Sequence, residues 1–332
     1  MHKTNARTRL VISVLILLAL IAPFVAGTRN NYYLNILISY CYYGIMTISL
    51  NLLVGYTGQI SLGHGAFMAI GGYAYAILSK TFGLPMPLAL LAALCISFSC
   101  GLLLGAACCK LNAIFLAIVT IGFARSVGLF LTNEGWLTGG ANGFTGIRRM
   151  HIFGHRLSNF EFYYVALAAL LLMFLVCYRL IYSKTGRAFQ AIRTAPIAAA
   201  AMGINVNGYK FLVCGISAAM AGLAGVLYAL NINYLSPDIF NKTSVFLITM
   251  TVIGGMGSLF GPVCGTLVIG TMPELLRPFA EHLNGMYGVL IILVLRFMPE
   301  GIYGAITQAT RFAADRLARP GKGILPGGRK GG

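Results

Sequence analysis

Residue types able to do acid–base, nucleophilic or metal chemistry are scarce in this 332-residue chain: seven Asp and Glu, five His and eight Cys. Their spacing builds no reactive centre. The cysteines make no C-x-x-C pair, and no Cys/His group has zinc-ligand spacing. All eight fall inside or at the ends of apolar runs, where a thiol serves as a small apolar side chain. A G-x-x-x-x-G-K-S/T phosphate loop is missing; the nearest string, Pro320-Gly321-Lys322-Gly323, lacks the upstream glycine and the hydroxyl residue. No pair of carboxylates sits within an apolar run, where ion-coupled transporters place ionisable groups. Glu274, after Pro273 near the end of such a run, reads as an interfacial acid. Catalysis, ATP hydrolysis and ion coupling by this chain alone are therefore poor hypotheses, and four strings of glycine and polar residues remain.

The first string, GYTGQISLGHGAF at 55–67, sets Gly55, Gly58 and Gly63 among Thr57, Gln59, Ser61 and His64 where one apolar run passes into the next. Glycine permits close backbone approach and conformations closed to other residues. Polar side chains there can satisfy backbone groups freed at membrane depth. From the residues alone an ordinary glycine-rich turn is equally good. The second string, LTGGANGFTG at 137–146, contains Thr138, Gly139, Gly140, Asn142 and Gly143 in the longest outer loop, either a structured lid or docking surface or a flexible connection. The third, GGMGSLFGP at 254–262, contains Gly254, Gly255, Gly257, Gly261 and Pro262. Its Gly254-x-x-Gly257 then Gly261 echoes Gly55-x-x-Gly58 then Gly63, as two related halves of a transporter would.

The fourth string occupies 183–210 and holds Gly186, Arg187, Arg193, Pro196, Ala199 and Gly203. Pro196 suits the first turn of a short helix, with Thr194 a candidate cap. The alanines at 198–201 favour helix, and Gly203 is a natural stop. A short helix outside the membrane between two spans has the shape to slot into a cytoplasmic partner. A helical linker on the lipid surface is the alternative, which Arg187 and Arg193 would suit as well.

These strings need elements to hold them. Apolar residues make up 58% of the chain, about 193, against 9% charged. That is enough for roughly eight to ten spans of ~20 apolar residues, and it excludes a soluble enzyme, a nucleic-acid-binding domain and a disordered chain. Apolar runs fall at 10–26, 34–54, 60–78, 86–109, 111–131, 162–181, 211–230, 245–257, 259–272 and 285–297. The eighth and ninth are short, either full helices borrowing flanking residues or half-helices joined by irregular backbone. With the N-terminus inside and ten crossings, 16 of the 24 Lys and Arg face the inner side and eight, Arg125 among them, the outer; five of the seven acids face the outer side. The balance of +14 inside against +3 outside follows the positive-inside rule and places both termini in the cytoplasm. The permease body is expected over 1–306, and 307–332 reads as a basic, glycine-rich cytoplasmic tail attracted to anionic lipid.

Together the strings VGYTGQISLGHGAF, LTGGANGFTGI, GRAFQAIR…AAAAMGINV…YK and VIGGMGSLFGPVCG, in this order, resemble the LivM type of inner-membrane permease of bacterial ABC importers for branched-chain amino acids. The resemblance implies an all-α polytopic bundle of about ten transmembrane helices with a cytoplasmic coupling helix at 193–203. It implies a paralogous LivH-type permease subunit, two ABC ATPase subunits and a periplasmic substrate-binding protein as partners. ATP would be used by the ATPase subunits, with no cofactor bound by this chain and no nucleic acid involved. Leucine, isoleucine and valine are the family's usual cargo; urea, short amides or other amino acids are the alternative, and an ion-coupled secondary transporter is the rival from another class. The chain departs from the family in two places. Thr194-Ala195-Pro196 stands where members often carry acids before the Ala-rich segment, and Arg125 and Gly128 stand where members often carry a Glu and then an Arg.

Overall fold

A computed structural model describes residues 19–23, 31–148, 150–152, 155–275 and 301–304, with isolated positions between 285 and 296. The first and tenth apolar runs lie largely outside these residues, as do the expected boundary at 306 and the tail.

The described chain is a helical bundle. Helix α1, Asn31–Asn51, continues into a π-turn, Leu52–Tyr56. There follow α2 (His64–Lys80), α3 (Met86–Cys108), α4 (Ala113–Asn133) and a single turn, α5 (Gly135–Thr138). Then come α6 (Asn159–Ile181), α7 (Lys184–Thr194), α8 (Pro196–Ala201), α9 (Val206–Ile232), α10 (Pro237–Gly254) and α11 (Gly261–Leu275). Two antiparallel two-residue pairs complete it: β1 (Phe144–Thr145) with β4 (Tyr234–Leu235), and β2 (His151–Ile152) with β3 (His155–Arg156).

The eighth apolar run is a full helix that borrows its N-terminal flank. α10 starts at Pro237, and its 18 residues reach about 27 Å at 1.5 Å per residue. The start of α6 is set by a capping box, Ser158 Oγ accepting from Glu161 N–H at 3.3 Å and Glu161 Oε2 accepting from Ser158 N–H at 2.7 Å.

α1 and α9 form the centre, with 72% and 78% of their apolar windows buried, against 28%, 17% and 22% for α3, α4 and α6. Small residues let α9 lie directly on α2: a Cβ added at Gly71 would stand 2.3 Å from Gly222 Cα, and one at Gly225 would stand 1.9 Å from the Met68 carbonyl. Such seams give helix packing where lipid offers no hydrophobic drive.

The helices alternate in direction, so the connections gather at two ends. One end, here the joint end, holds the turns at 57–63, 109–112, 182–205 and 255–260. The strap end holds 81–85, 134–158 and 233–236. Tyr32 Oη donates to Glu274 Oε2 at the strap end, which ties the start of α1 to the end of α11. Arg125, grouped above with the outer cations, lies inside α4, about 18 Å along from Ala113 and 12 Å short of Asn133.

Candidate functional site

Three of the four strings meet at the joint end. Asn51, buried at the foot of α1, donates from Nδ2 to the Ser258 carbonyl at 2.8 Å and accepts on Oδ1 from Gly257 N–H at 2.9 Å. A carboxamide carries both donor and acceptor, so one side chain clamps both sides of the 255–260 turn. The π-turn brings Gly55 so close that an added Cβ would lie 2.6 Å from Gly257 N. Gly58 and Gly257 hold positive φ, +72° and +81°. The echo between the two strings is therefore structural: each second glycine is left-handed, each last glycine stands at a helix start, and the two turns touch.

Arg193, at the end of α7, enters this notch. Its guanidinium donates to the Gly55 carbonyl. A Cβ at Gly58 would lie 3.3 Å from Arg193 Cγ, and one at Gly257 would lie 2.7 Å from its Nη1. Next to the notch is a cavity of about 200 Å³ lined by residues that include Thr57, Gln59, Asn112, Arg193, Pro196 and Lys210.

Above the notch the buried interior is polar. His64 Nε2 and Ser49 Oγ are 2.7 Å apart, Ser217 Oγ donates to the Ser49 carbonyl at 2.9 Å, and Gly65 N–H donates to Ser244 Oγ at 3.0 Å. Cys214 Sγ lies 3.3 Å from Gln59 Oε1. Ser61 Oγ and His64 Nδ1 are buried with no partner among the described residues, and unsatisfied buried polar atoms ask for an explanation. Gly63 lets α2 start against α4: an added Cβ would stand 2.0 Å from the Thr120 carbonyl. Pro262 O accepts from Thr266 Oγ1 at 2.8 Å, beside Thr47.

The expected helix at 193–203 divides differently. α7 ends with Thr194, Ala195 breaks the path at φ −152° and ψ 84°, and α8 begins at Pro196. Arg193 and Thr194 thus belong to the preceding helix. Thr194 caps nothing; its hydroxyl donates back to the Gln190 carbonyl at 3.0 Å. Pro196 takes the first turn of α8. At its end Gly203 N–H donates to Ala200 O and Ile204 N–H to Ala199 O, with Gly203 at φ +81°. That is a Schellman stop. Ala199 is buried and seats α8 on its own chain, while Ile197 and Met202 stand 86% and 83% exposed. Gly186 lets α7 fold close under α6, an added Cβ lying 2.0 Å from Ile181 O, and Arg187 is exposed.

Residues 32–298 match the family described as branched-chain amino acid transport system / permease component. The chain belongs to this family. The high-affinity branched-chain amino acid transport system permease protein LivM of Salmonella typhimurium is 32% identical over 90% of this chain and 76% of its own length. LivM of Escherichia coli has the same identity and coverage. The LivH permease protein of Salmonella typhimurium is 35% identical over 37% of this chain and 41% of its own length. No solved structure matches. The chain is thus a multi-pass membrane permease of the LivM type, an all-α bundle.

At the strap end the permease's remaining string is an ordered structure. Thr138 is fully buried, its Oγ1 2.7 Å from the carbonyls of Leu131 and Glu134, and it accepts from Gly140 N–H at 3.2 Å. Gly139, Gly140 and Gly143 hold positive φ. Asn142 O accepts from Tyr234 Oη at 3.3 Å, and Lys80 Nζ donates to Thr145 O at 2.6 Å. This string stays apart from the joint. The sequence reading passed over Asn51, Ile197 and Met202. A lone Asn inside the apolar run 34–54 carries no spacing signal, whereas two bulky apolar residues in the connecting segment 183–210 were a legible one.

Proposed function

We propose that this chain is one permease subunit of an ATP-driven ABC importer that moves branched-chain amino acids across the bacterial inner membrane. The family match over residues 32–298 carries this reading, and LivM relatives named for that transport support it. A paralogous permease of the LivH type, to which part of this chain is also similar, supplies the other half. Two ATPase subunits and a periplasmic binding protein complete the importer. The chain crosses the membrane about ten times with both termini inside. The charge bias supports this, and moving Arg125 from the outer count into α4 widens the bias.

In this orientation the joint end is cytoplasmic. α8 presents Ile197 and Met202 to the ATPase, and α7 carries the resulting movement to Arg193. Arg193 reaches both glycine turns, so a shift of α7 moves the feet of α1, α2, α10 and α11 relative to one another. Such transmission needs an element with two arrangements, and the notch held by Arg193 is the element this reading assigns to it.

The chain alone in liposomes is expected to take up no leucine with ATP or with an ion gradient. The complete importer takes it up with ATP. Robust proton- or sodium-driven uptake by the lone chain would overturn the reading.

A further inference from the structure

α4 is the least covered of the long helices. Its buried residues, Leu116, Thr120 and Leu131, mark the side against the bundle. At 100° per residue Ile118, Gly122, Arg125 and Leu129 share a single stripe on the opposite side. All four are exposed, and Ser126 beside them is exposed too. A Cβ added at Gly122 would meet nothing within 4 Å. Arg125 has no hydrogen-bond or ion-pair partner among the described residues.

Arg125 lies nearer the middle of α4 than either end. From there its stem does not bring the guanidinium clear of a hydrocarbon core ~30 Å thick. Cations at this depth face protein or a water-filled cavity rather than lipid. α3 and α6, also poorly covered, show what a lipid-facing surface looks like here: Leu91, Ile96 and Leu103 on one, Leu171, Leu172 and Leu175 on the other, with no charge at mid-helix.

We propose that the stripe of Ile118, Gly122, Arg125 and Leu129 faces the second permease subunit across a water-filled translocation path, and that Arg125 receives the carboxylate of the amino acid passing through. This rests on the importer reading above. The guanidinium offers paired N–H donors that fit a carboxylate. Gly122 and Ser126 leave room beside it, and Ile118 and Leu129 offer apolar contact to a branched aliphatic side chain. A single cation with no second clamp holds the cargo weakly enough to let it go.

The test uses the assembled importer, this chain with its partner permease, ATPases and binding protein, in proteoliposomes. Arg125→Met is expected to assemble and to lose about tenfold or more of leucine uptake, as removal of a charge-assisted hydrogen bond would. Arg125→Lys retains part of it. Arg125→Cys is expected to react with water-soluble methanethiosulfonates above the background of the native cysteines, whereas Leu172→Cys on α6 does not. Attaching an ammonium at position 125 restores uptake in part, and attaching a sulfonate does not. Wild-type uptake by Arg125→Met, or no labelling of Arg125→Cys, would overturn the proposal. A wild-type importer that takes up no leucine while Arg125→Cys is still labelled would instead sink the cargo reading and the carboxylate assignment with it, and leave the water-lined face standing.

Discussion

At the strap end, Gly143 sits at φ +77°, an added Cβ there would stand 2.5 Å from the Leu235 carbonyl oxygen, and Phe144 pairs with Leu235 through backbone. At the joint end, Gly58 and Gly257 hold similar positive φ, yet the ties between segments are side chains: Asn51 to the 257–258 backbone and Arg193 to Gly55. Backbone pairing holds the strap as one piece. Side-chain ties release singly, without unfolding a helix. The same glycine-rich composition thus builds a fixed clasp at one end and an adjustable joint at the other, and movement is expected at the joint.

The sharpest way to break this contrast is Gly143→Val. Positive φ and the clash with Leu235 O together are expected to remove about 2–5 kcal/mol. Little folded protein should survive detergent extraction. Thermal unfolding equal to wild type would show that the strap is no clasp. Asn51→Leu comes next. It leaves Gly257 N–H and Ser258 O without their partner, an expected loss of about 1–3 kcal/mol. The bundle should fold with a lowered melting temperature, and uptake by the assembled importer should fall further than stability does. Gly203→Val is the mildest for the fold. Nothing stands within 4 Å of an added Cβ, so only the positive φ resists, by about 1–2 kcal/mol confined to the end of α8. Expression should stay near normal while recovery of the ATPase with the permease drops; equal recovery and equal stimulated hydrolysis would remove α8 from the coupling surface.

The spans and the short helix were legible because their signals are local. Long apolar runs, Pro196 at a helix start and Gly203 at its stop each act within one turn. The Gly55/Gly254 echo was legible as spacing, but its meaning was not, since contact between the turns depends on Asn51, 206 residues from Gly257 in the chain. α7 was overlooked although Ser183 caps it and Ala188, Phe189 and Ile192 repeat on one face. The helix that the resemblance implies at 193–203 starts three residues before α8 and so takes Arg193 and Thr194 from α7. The pairing of β1 with β4 has no sequence signature, because two residues from segments 90 apart show no periodicity. Arg125 falls inside the run 111–131 yet was counted with the outer cations, because a two-sided charge count leaves no place for a cation within a span.

The most direct measurement is leucine uptake per ATP hydrolysed in proteoliposomes carrying the complete importer, wild type against Arg193→Ala and Arg193→Lys. Arg193 contributes little to the bundle's stability because its head is held by one backbone carbonyl and its residue is exposed. Arg193→Ala should therefore assemble and still hydrolyse ATP when the loaded binding protein is added, with uptake per ATP lower by about tenfold, the scale of one charge-assisted hydrogen bond. Arg193→Lys should recover part of it. Uptake per ATP unchanged in Arg193→Ala would contradict the account, since the joint would then transmit nothing through that side chain.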